Sequence, residues 1–550
     1  MGRALELILR IEPGTAKQWA AAHAAAAASA AVPAEAGSVT GHEAPQAKKR
    51  VRRAAPRRTA RDAMTEALRA LPGATCVAQR TPATRRLFAG TPCVVVEEAP
   101  DGCRVVALRR EALVPGVRVC ETVFEAPLDA SGQIHEQASW PAAVRAALDA
   151  EGEQGPPRTV QFHRETWEWA PSKGPSIKVV ALDAAGAEAA QADTVPQCEL
   201  HLSIDLPSTV PPDDMPAALR ALFAGASAIV KALPAFPVLD DLFSCDDPAR
   251  EVFEPVRATR VDLGDARTPH EALLAIGGHV ARQWFGNAPG VRERSAPEFV
   301  HQMRVALRRL KTLIKTFSHW ADADWLERVA PELDWLGELL GTVRDLDVFA
   351  GSTLPALANA DTDASRWQAI RTAADARRGE ARSRLQSALR SPRYAALSLL
   401  WLEWFALQST VDGPDAYRDT PIGTYAAKRV RKHYKRLTAK PPLTELDAPA
   451  RHRRRIAAKR LRYTLEYFES LASTKTRRRV AKQLGRIQSV LGDGSDAATA
   501  LRFLDALEAP PYQAGFARGW CEAINRSSAQ EAQRLLVDLK KPKIVGRRGR

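Results

Sequence analysis

One pattern of seventeen residues occurs twice in this chain, and no other feature restricts its fold as much. HQMRVALRRLKTLIKTF starts at His301 and HRRRIAAKRLRYTLEYF at His452, 151 residues later. The frame persists downstream, where Leu340, Gly341 and Asp345 recur as Leu491, Gly492 and Asp496. Self-similarity kept in one register over that length marks a duplicated structural unit. The period inside each copy is helical. At about 100° per residue, His301, Arg304, Arg308 and Lys311 share one side, and Met303, Leu307, Leu310, Ile314 and Phe317 share another. In the second copy His452, Arg455, Lys459 and Arg462 take the same four angles, with Leu461, Leu465 and Phe468 on the apolar side.

Like charges one turn apart on a helix repel, and these segments hold few acids to relieve them. A single basic row reads as a solvated face. The same row at the same angles in two copies favours a bound polyanion held between them. Arg brings a planar fork of donors to phosphate oxygens and Lys a mobile point charge. His301 and His452 fit a helix start or a core position as well as a ligand role. Lys428, Arg431 and Lys435 form a further basic row with no repeat behind it, and Arg377, Arg378, Arg382 and Arg384 another; for these a solvated face comes first. Asp345 and Asp347, in VRDLDVF, are read as partners of neighbouring cations at helix ends rather than metal ligands.

Charge is unevenly distributed. Residues 291–550 hold 48 Lys+Arg against 29 Asp+Glu, a balance of +19, and the rest of the chain, with 31 against 35, is at −4. The anion-binding part is therefore C-terminal. The hydrophobic period divides the chain in the same way. Strand patterns occupy 3–11 and about 75–205, with a hairpin turn at Pro100-Asp101-Gly102, and a helix follows over 215–232. From about 268 the period is helical, over 270–285, 297–318, 323–341, 364–390, 393–408, 421–437, 449–471, 475–491 and 496–508, with stop signals such as Gly286-Asn287 and Pro441-Pro442 between segments. The expected fold is α+β in two domains. Residues 1–255 form an antiparallel β-barrel interrupted by a low-complexity basic insertion at about 20–60. Residues 256–540 form an all-α domain of two duplicated bundles, and 541–550 a basic tail.

The seven cysteines show no CxxC pair, which predicts reduced thiols, no zinc site and a cytoplasmic protein. MGRALELILRIEP is too short and charged for a signal peptide, and the most apolar run, 394–407, is too short to span a membrane. The basic arm 47–58 reads as a solvated linker, with nucleic acid or polyphosphate as the alternative contact. Aromatic residues for base stacking are not interleaved with the main basic rows, so nucleic acid is the weaker partner.

These residues resemble the CHAD family, the conserved histidine α-helical domain. Its repeated helix signature matches His301, Arg304, Arg308, Arg309, Leu310 and Lys311, then His452, Arg455, Lys459, Arg460, Leu461 and Arg462; LGTVRDLDV at 340–348 matches a further element. The resemblance covers roughly 260–510. It implies binding of inorganic polyphosphate in a basic pore between two bundles, often at polyphosphate granules. The N-terminal part resembles a degenerate CYTH domain, a triphosphate tunnel barrel. Its opening motif is reduced to Glu6-Leu7-Ile8-Leu9-Arg10, Lys178 stands where an acid is usual, and Glu199 alone remains in the later acidic strand. Glu6, Arg10, Arg109, Asp183 and Glu199 are the remnants. That erosion implies a scaffold without catalysis and without a cofactor. The alternative is a triphosphatase or polyphosphatase using Mg²⁺ or Mn²⁺, with the helical domain gathering substrate.

Overall fold

The computed structural model describes residues 2–12, 15, 19, 60–88, 90–128, 140–149, 158–170, 174–184, 198–207, 214–239, 241, 254–294 and 296–545. The basic arm 47–58 and the last five residues of the tail lie outside them. The chain divides into two compact units, residues 1–112, 116–249 and 390–399, and residues 113–115, 250–389 and 400–550.

The first unit is a closed antiparallel barrel of eight strands: β1 Arg3–Ile11, β2 Ala74–Phe88, β3 Cys93–Ala99, β4 Gly102–Val114, β5 Val117–Leu128, β6 Arg158–Trp169, β7 Ile177–Ala184 and β8 Cys198–Leu206. They neighbour in the order β5-β4-β3-β2-β6-β7-β8-β1, and β1 closes the ring by pairing with β5. Closure leaves no unpaired edge in the ring. A two-residue strand, β9 Phe236–Pro237, adds beside Leu9 and Arg10. Among the described residues the helices of this unit include α1 Ala60–Arg69, α2 Ala142–Asp149 and α3 Asp214–Ala232. Strand alternation fixes what each face does. Leu5, Leu7 and Leu9 of β1 are fully buried, as are Leu200 and Leu202 of β8, and α3 packs on these two strands. Gly225 gives α3 its close approach, since a Cβ there would collide with Ile177. By length and composition α3 is the one described helix apolar enough to cross a membrane, and its Leu219, Leu222, Phe223 and Ile229 are buried in this unit.

The second unit is helical: α4 Pro269–Glu293, α5 Pro297–Thr316, α6 Ala323–Val348, α7 Leu354–Ala360, α8 Gln368–Leu389, α9 Pro392–Gln408 (whose first residues group with the barrel), α10 Asp415–Arg418, α11 Ile422–Leu437, α12 Ala448–Tyr467, α13 Ala481–Ala506 and α14 Pro511–Val537. Starts are set by local chemistry. Thr268 and Glu271 form a capping box at α4, and Asp322 and Asp447 accept from Trp325 N and Ala450 N, each at 2.7 Å.

Several expected boundaries shift. Gly286-Asn287 does not end α4, because Asn287 turns its amide to the backbone of Val256 and a Cβ at Gly286 would lie 2.6 Å from the Val256 side chain. The Gly492–Ser495 run does not split α13 either. Gly494 lies against Ser528 of α14, a helix that the sequence reading did not resolve. Cys93 is disulfide-bonded, which corrects the expectation of seven reduced thiols; a pairing made by tertiary proximity leaves no CxxC spacing to read.

Candidate functional site

Helices α5 and α12 carry the two copies of the repeat and pack on each other. Met303, Leu310, Phe317, Leu461 and Phe468 are fully buried. The Tyr467 hydroxyl donates to the Arg309 carbonyl at 2.6 Å, and the Phe317 and Phe468 rings lie 6.4 Å apart. With the apolar stripes committed to the core, both cationic rows open onto one cavity of about 1080 Å³. His301, Arg304, Arg308, Arg309, His452, Arg455, Lys459 and Arg462 all line it.

The other candidates lie elsewhere. Lys311 reaches Asp334 at 2.6 Å. Arg460 is half-buried outside the cavity wall, and Lys428, Arg431 and Lys435 are exposed on α11. Arg309 lines the cavity but its guanidinium is turned into the protein, where it donates to Gln283 Oε1 at 2.6 Å and lies 5.9 Å from the Tyr467 ring. It pins α5 to α4 and α12.

Arg304 and Arg455 are held in matching ways. Arg304 Nη2 lies 3.3 Å from Asp345, and Arg455 Nη2 lies 3.9 Å from Asp496 while its Nη1 donates to Ser495 Oγ at 3.0 Å. Both aspartates stand 41 residues beyond their arginine, so cation and acid were duplicated together. Asp347 pairs instead with Arg382 at 2.9 Å. Gly341 makes room for the Arg304 guanidinium over α6, since a Cβ there would collide with Nη1.

Positive charge still prevails. Nine Arg and Lys side chains line the cavity against four Asp and Glu. Arg308, Arg344 and Lys459 have no ion-pair partner among the described residues. Burial, then Arg308, Arg455 and Arg304, push the Lys459 amine down to about 6 against the opposing Asp496. Burial, then Arg308, push Arg304 down to about 10 in spite of Asp345. His301 and His452 are also pushed down, by burial first and then by Arg344 and Arg455 respectively. Charges from the two repeats therefore act on each other directly. Sequence reasoning missed Arg344, Arg502 and Arg260 in the cavity wall. Arg344 was legible, being one helical turn beyond Gly341 on the α6 face that carries Asp345.

The barrel has a different polar interior. Opposite charges stand directly across neighbouring strands, as Glu6 with Arg118, Arg10 with Glu199 and Glu97 with Arg85 and Arg104. Arg118 Nε donates to Glu6 at 2.6 Å and its Nη2 to Asp241 at 2.8 Å; Arg10 Nη2 lies 2.6 Å from Glu199. Glu97 accepts from Arg85, Arg104 and Arg164. His201 sits between Glu6 at 3.2 Å and Glu199 at 3.1 Å, with Asp241 at 3.6 Å. Burial disfavours its imidazolium, but Asp241 and the hydrogen bonds to Glu199 and Glu6 raise its pKa to about 9. Glu199, His201 and Asp241 place one ligand atom each within 4.8 Å, so the residue types suit a divalent cation. Such an ion would have to displace the His201 proton and compete with Arg118 and Arg10. The arrangement fits a cation poorly as it stands.

Two of the expected remnants are not inside. Arg109 is 62% exposed and pairs with Glu121, and Asp183 has the strand parity opposite to Glu199 and pairs with Arg80. Arginines enter the barrel interior from β2, β4, β5 and β6, as Arg85, Arg104, Arg118 and Arg164.

Fold and site together define a two-domain protein in which a closed antiparallel barrel precedes a duplicated helical domain with a shared cationic cavity. Residues 275–505 match the family model described as CHAD domain, and the chain belongs to the CHAD family through this region. The barrel is consistent with a CYTH-like domain. Among solved structures, the CHAD domain from the plant Ricinus communis is similar at 31% identity and TM-score 0.44, covering 53% of this chain and 99% of its own. PptA from Streptomyces chartreusis is similar at 18% identity and TM-score 0.40, covering 50% of this chain and 99% of its own. No curated protein matches the chain.

Proposed function

We propose that the helical domain binds inorganic polyphosphate in the cavity between its repeats and brings the protein to polyphosphate granules, with the barrel as a non-catalytic scaffold. The observation that carries this reading is the opening of Arg304, Arg308, Arg455 and Lys459 onto one space. Residues His452 to Glu466, both in the cavity wall, span roughly 20 Å along α12. That length suits a polymer of phosphates better than a single anion, and family membership supports polyphosphate among polyanions. Contacts with several phosphates release counterions, so affinity falls steeply as salt rises.

Titration of the full-length protein with long-chain polyphosphate tests the reading. The double variant Arg304→Glu/Arg455→Glu is expected to lose about a hundredfold or more in affinity, since each removes a charge-assisted contact, with unchanged helicity by circular dichroism. Unaltered affinity in that variant would remove the site. Excess duplex DNA should displace polyphosphate poorly; efficient displacement would favour nucleic acid instead. A second reading, a barrel that hydrolyses triphosphate with Mg²⁺ or Mn²⁺, has only the residue types of Glu199, His201 and Asp241 in its favour, since His201, Arg118 and Arg10 already occupy those carboxylates. Phosphate release from tripolyphosphate with either metal, lost in Glu6→Ala, would establish it; the scaffold reading expects none.

A further inference from the structure

The cavity has a wall that the repeats do not supply. The CHAD match begins at residue 275, yet Ala258, Thr259 and Arg260 line the cavity. They belong to an extended segment, 254–263, without helix or strand. The segment is fastened along its length. Val256 N donates to Asn287 Oδ1 at 3.1 Å, and Asn287 Nδ2 donates back to Val256 O at 2.8 Å. Asn287 is fully buried, which makes this backbone clamp costly to break. Thr259 Oγ1 hydrogen-bonds His279 Nδ1 at 2.9 Å, and Val261 and Leu263 are buried. Ordinary linkers are not pinned at four points within eight residues.

The pinned segment sets Arg260 at one end of the cavity, 3.4 Å from Glu469. At that end Arg462 is likewise paired, with Glu466 at 2.7 Å. Both cations are exposed, Arg260 at 87%, against half-buried acids, so these pairs hold weakly against a competing phosphate. Toward the middle of the cavity Arg308 and Lys459 have no such partner. Glu469, the partner of Arg260, lies beyond the end of α12, and from Lys459 to Tyr467 at that end is about 12 Å along the helix, so a chain held at Lys459 must extend past Arg462 before it meets Arg260.

We propose that segment 254–263 is a strap whose residues 258–260 form part of the polyphosphate site, and that Arg260 leaves Glu469 to bind phosphates of long chains only. Arg260 is then a determinant of chain length, outside the repeated domain. The inference rests on the polyphosphate reading.

Full-length protein is titrated with long-chain polyphosphate and with tripolyphosphate, for wild type, Arg260→Glu, Glu469→Gln and Arg257→Glu. Arg257 is a neighbouring strap residue, 79% exposed, that does not line the cavity. Arg260→Glu should weaken long-chain binding about tenfold and lower the slope of log affinity against log salt by about one. Its tripolyphosphate binding should match wild type. Glu469→Gln, which frees Arg260, should tighten long-chain binding, and Arg257→Glu should stay within about twofold of wild type on both ligands. Equal effects of Arg260→Glu and Arg257→Glu, or equal losses on both ligands, overturn the strap while leaving the cavity. A wild type that binds neither ligand overturns the polyphosphate reading and the inference with it.

Discussion

Lys459 holds its amine among Arg308, Arg455 and Arg304, and burial with those charges sets its pKa at about 6. An unfolded chain keeps this proton up to about pH 10.4. Between those values the unfolded state binds more protons, so the helical unit gains stability as pH rises from about 6 toward 10. A phosphate chain reverses the situation by restoring the charge. Binding at pH 7.5 should therefore take up close to one proton, read from the dependence of binding enthalpy on the ionisation enthalpy of the buffer. Lys459→Arg should bind without that uptake, and the same uptake in this variant would assign the proton to another group. Lys459→Met should lose affinity while raising the melting temperature of the free protein by roughly 2–4 °C. Binding residues kept at a cost to stability are what an uncompensated cationic cavity requires.

At the scale of elements, glycines in helices separate packing from propensity. Gly341 and Gly492 are the same position in the two copies, but a Cβ would collide with Arg304 at the first and lie 3.8 Å from Arg455 at the second. Gly492→Ala should stabilise by about 0.5–1 kcal/mol through helix propensity with binding unchanged. Gly341→Ala gains the same propensity but must displace the Arg304 guanidinium, and should weaken polyphosphate binding about tenfold. Thermal melts beside titrations of both variants check the contrast, and equal binding in the two would mean that Arg304 does not need its seat over α6. The same distinction explains what the sequence revealed. The apolar and cationic sides of α5 and α12 follow from their period, so the repeat and eight of its cavity residues were legible. Gly286-Asn287 looked like a helix stop because its real partner, the Val256 backbone, is thirty-one residues away. Arg260 was invisible for the same reason, as nothing local marks an extended segment that is pinned from a helix. In the barrel, alternation separated Glu6 and Glu199 from Arg109 only once strand register was known.

For the whole molecule, the two units handle charge in opposite ways, and their responses to pH should diverge. The barrel neutralises itself. Burial raises the Glu97 carboxyl, but Arg85 and Arg164 outweigh it and bring its pKa to about 2. Glu6 is likewise held well below the usual carboxylate range, burial being outweighed by His201 and Arg118. Carboxylates depressed in the folded state contribute stability above about pH 4.3 that is lost as pH falls through their folded values. His201 has the other sign: its pKa is raised to about 9, so its contribution is complete below about pH 6.5 and disappears as pH climbs through 9. The barrel should thus be most stable between about pH 5 and 7, and the helical unit should go on gaining above that range. Calorimetric scans of the full chain at pH 4, 6 and 9 should resolve two transitions that shift in opposite directions between pH 6 and 9, the helical one upward and the barrel one downward. Polyphosphate should shift only the helical transition, by mass action on the folded state. Glu97→Gln, which leaves three arginines around a neutral group, should lower the barrel transition at pH 6 and by nearly as much at pH 4, where the wild-type carboxyl, at about 2, is still ionised. Two transitions that instead rise and fall together across this range would mean that neither Lys459 nor His201 governs its unit, and the contrast between a compensated barrel and an uncompensated cavity would have to be given up.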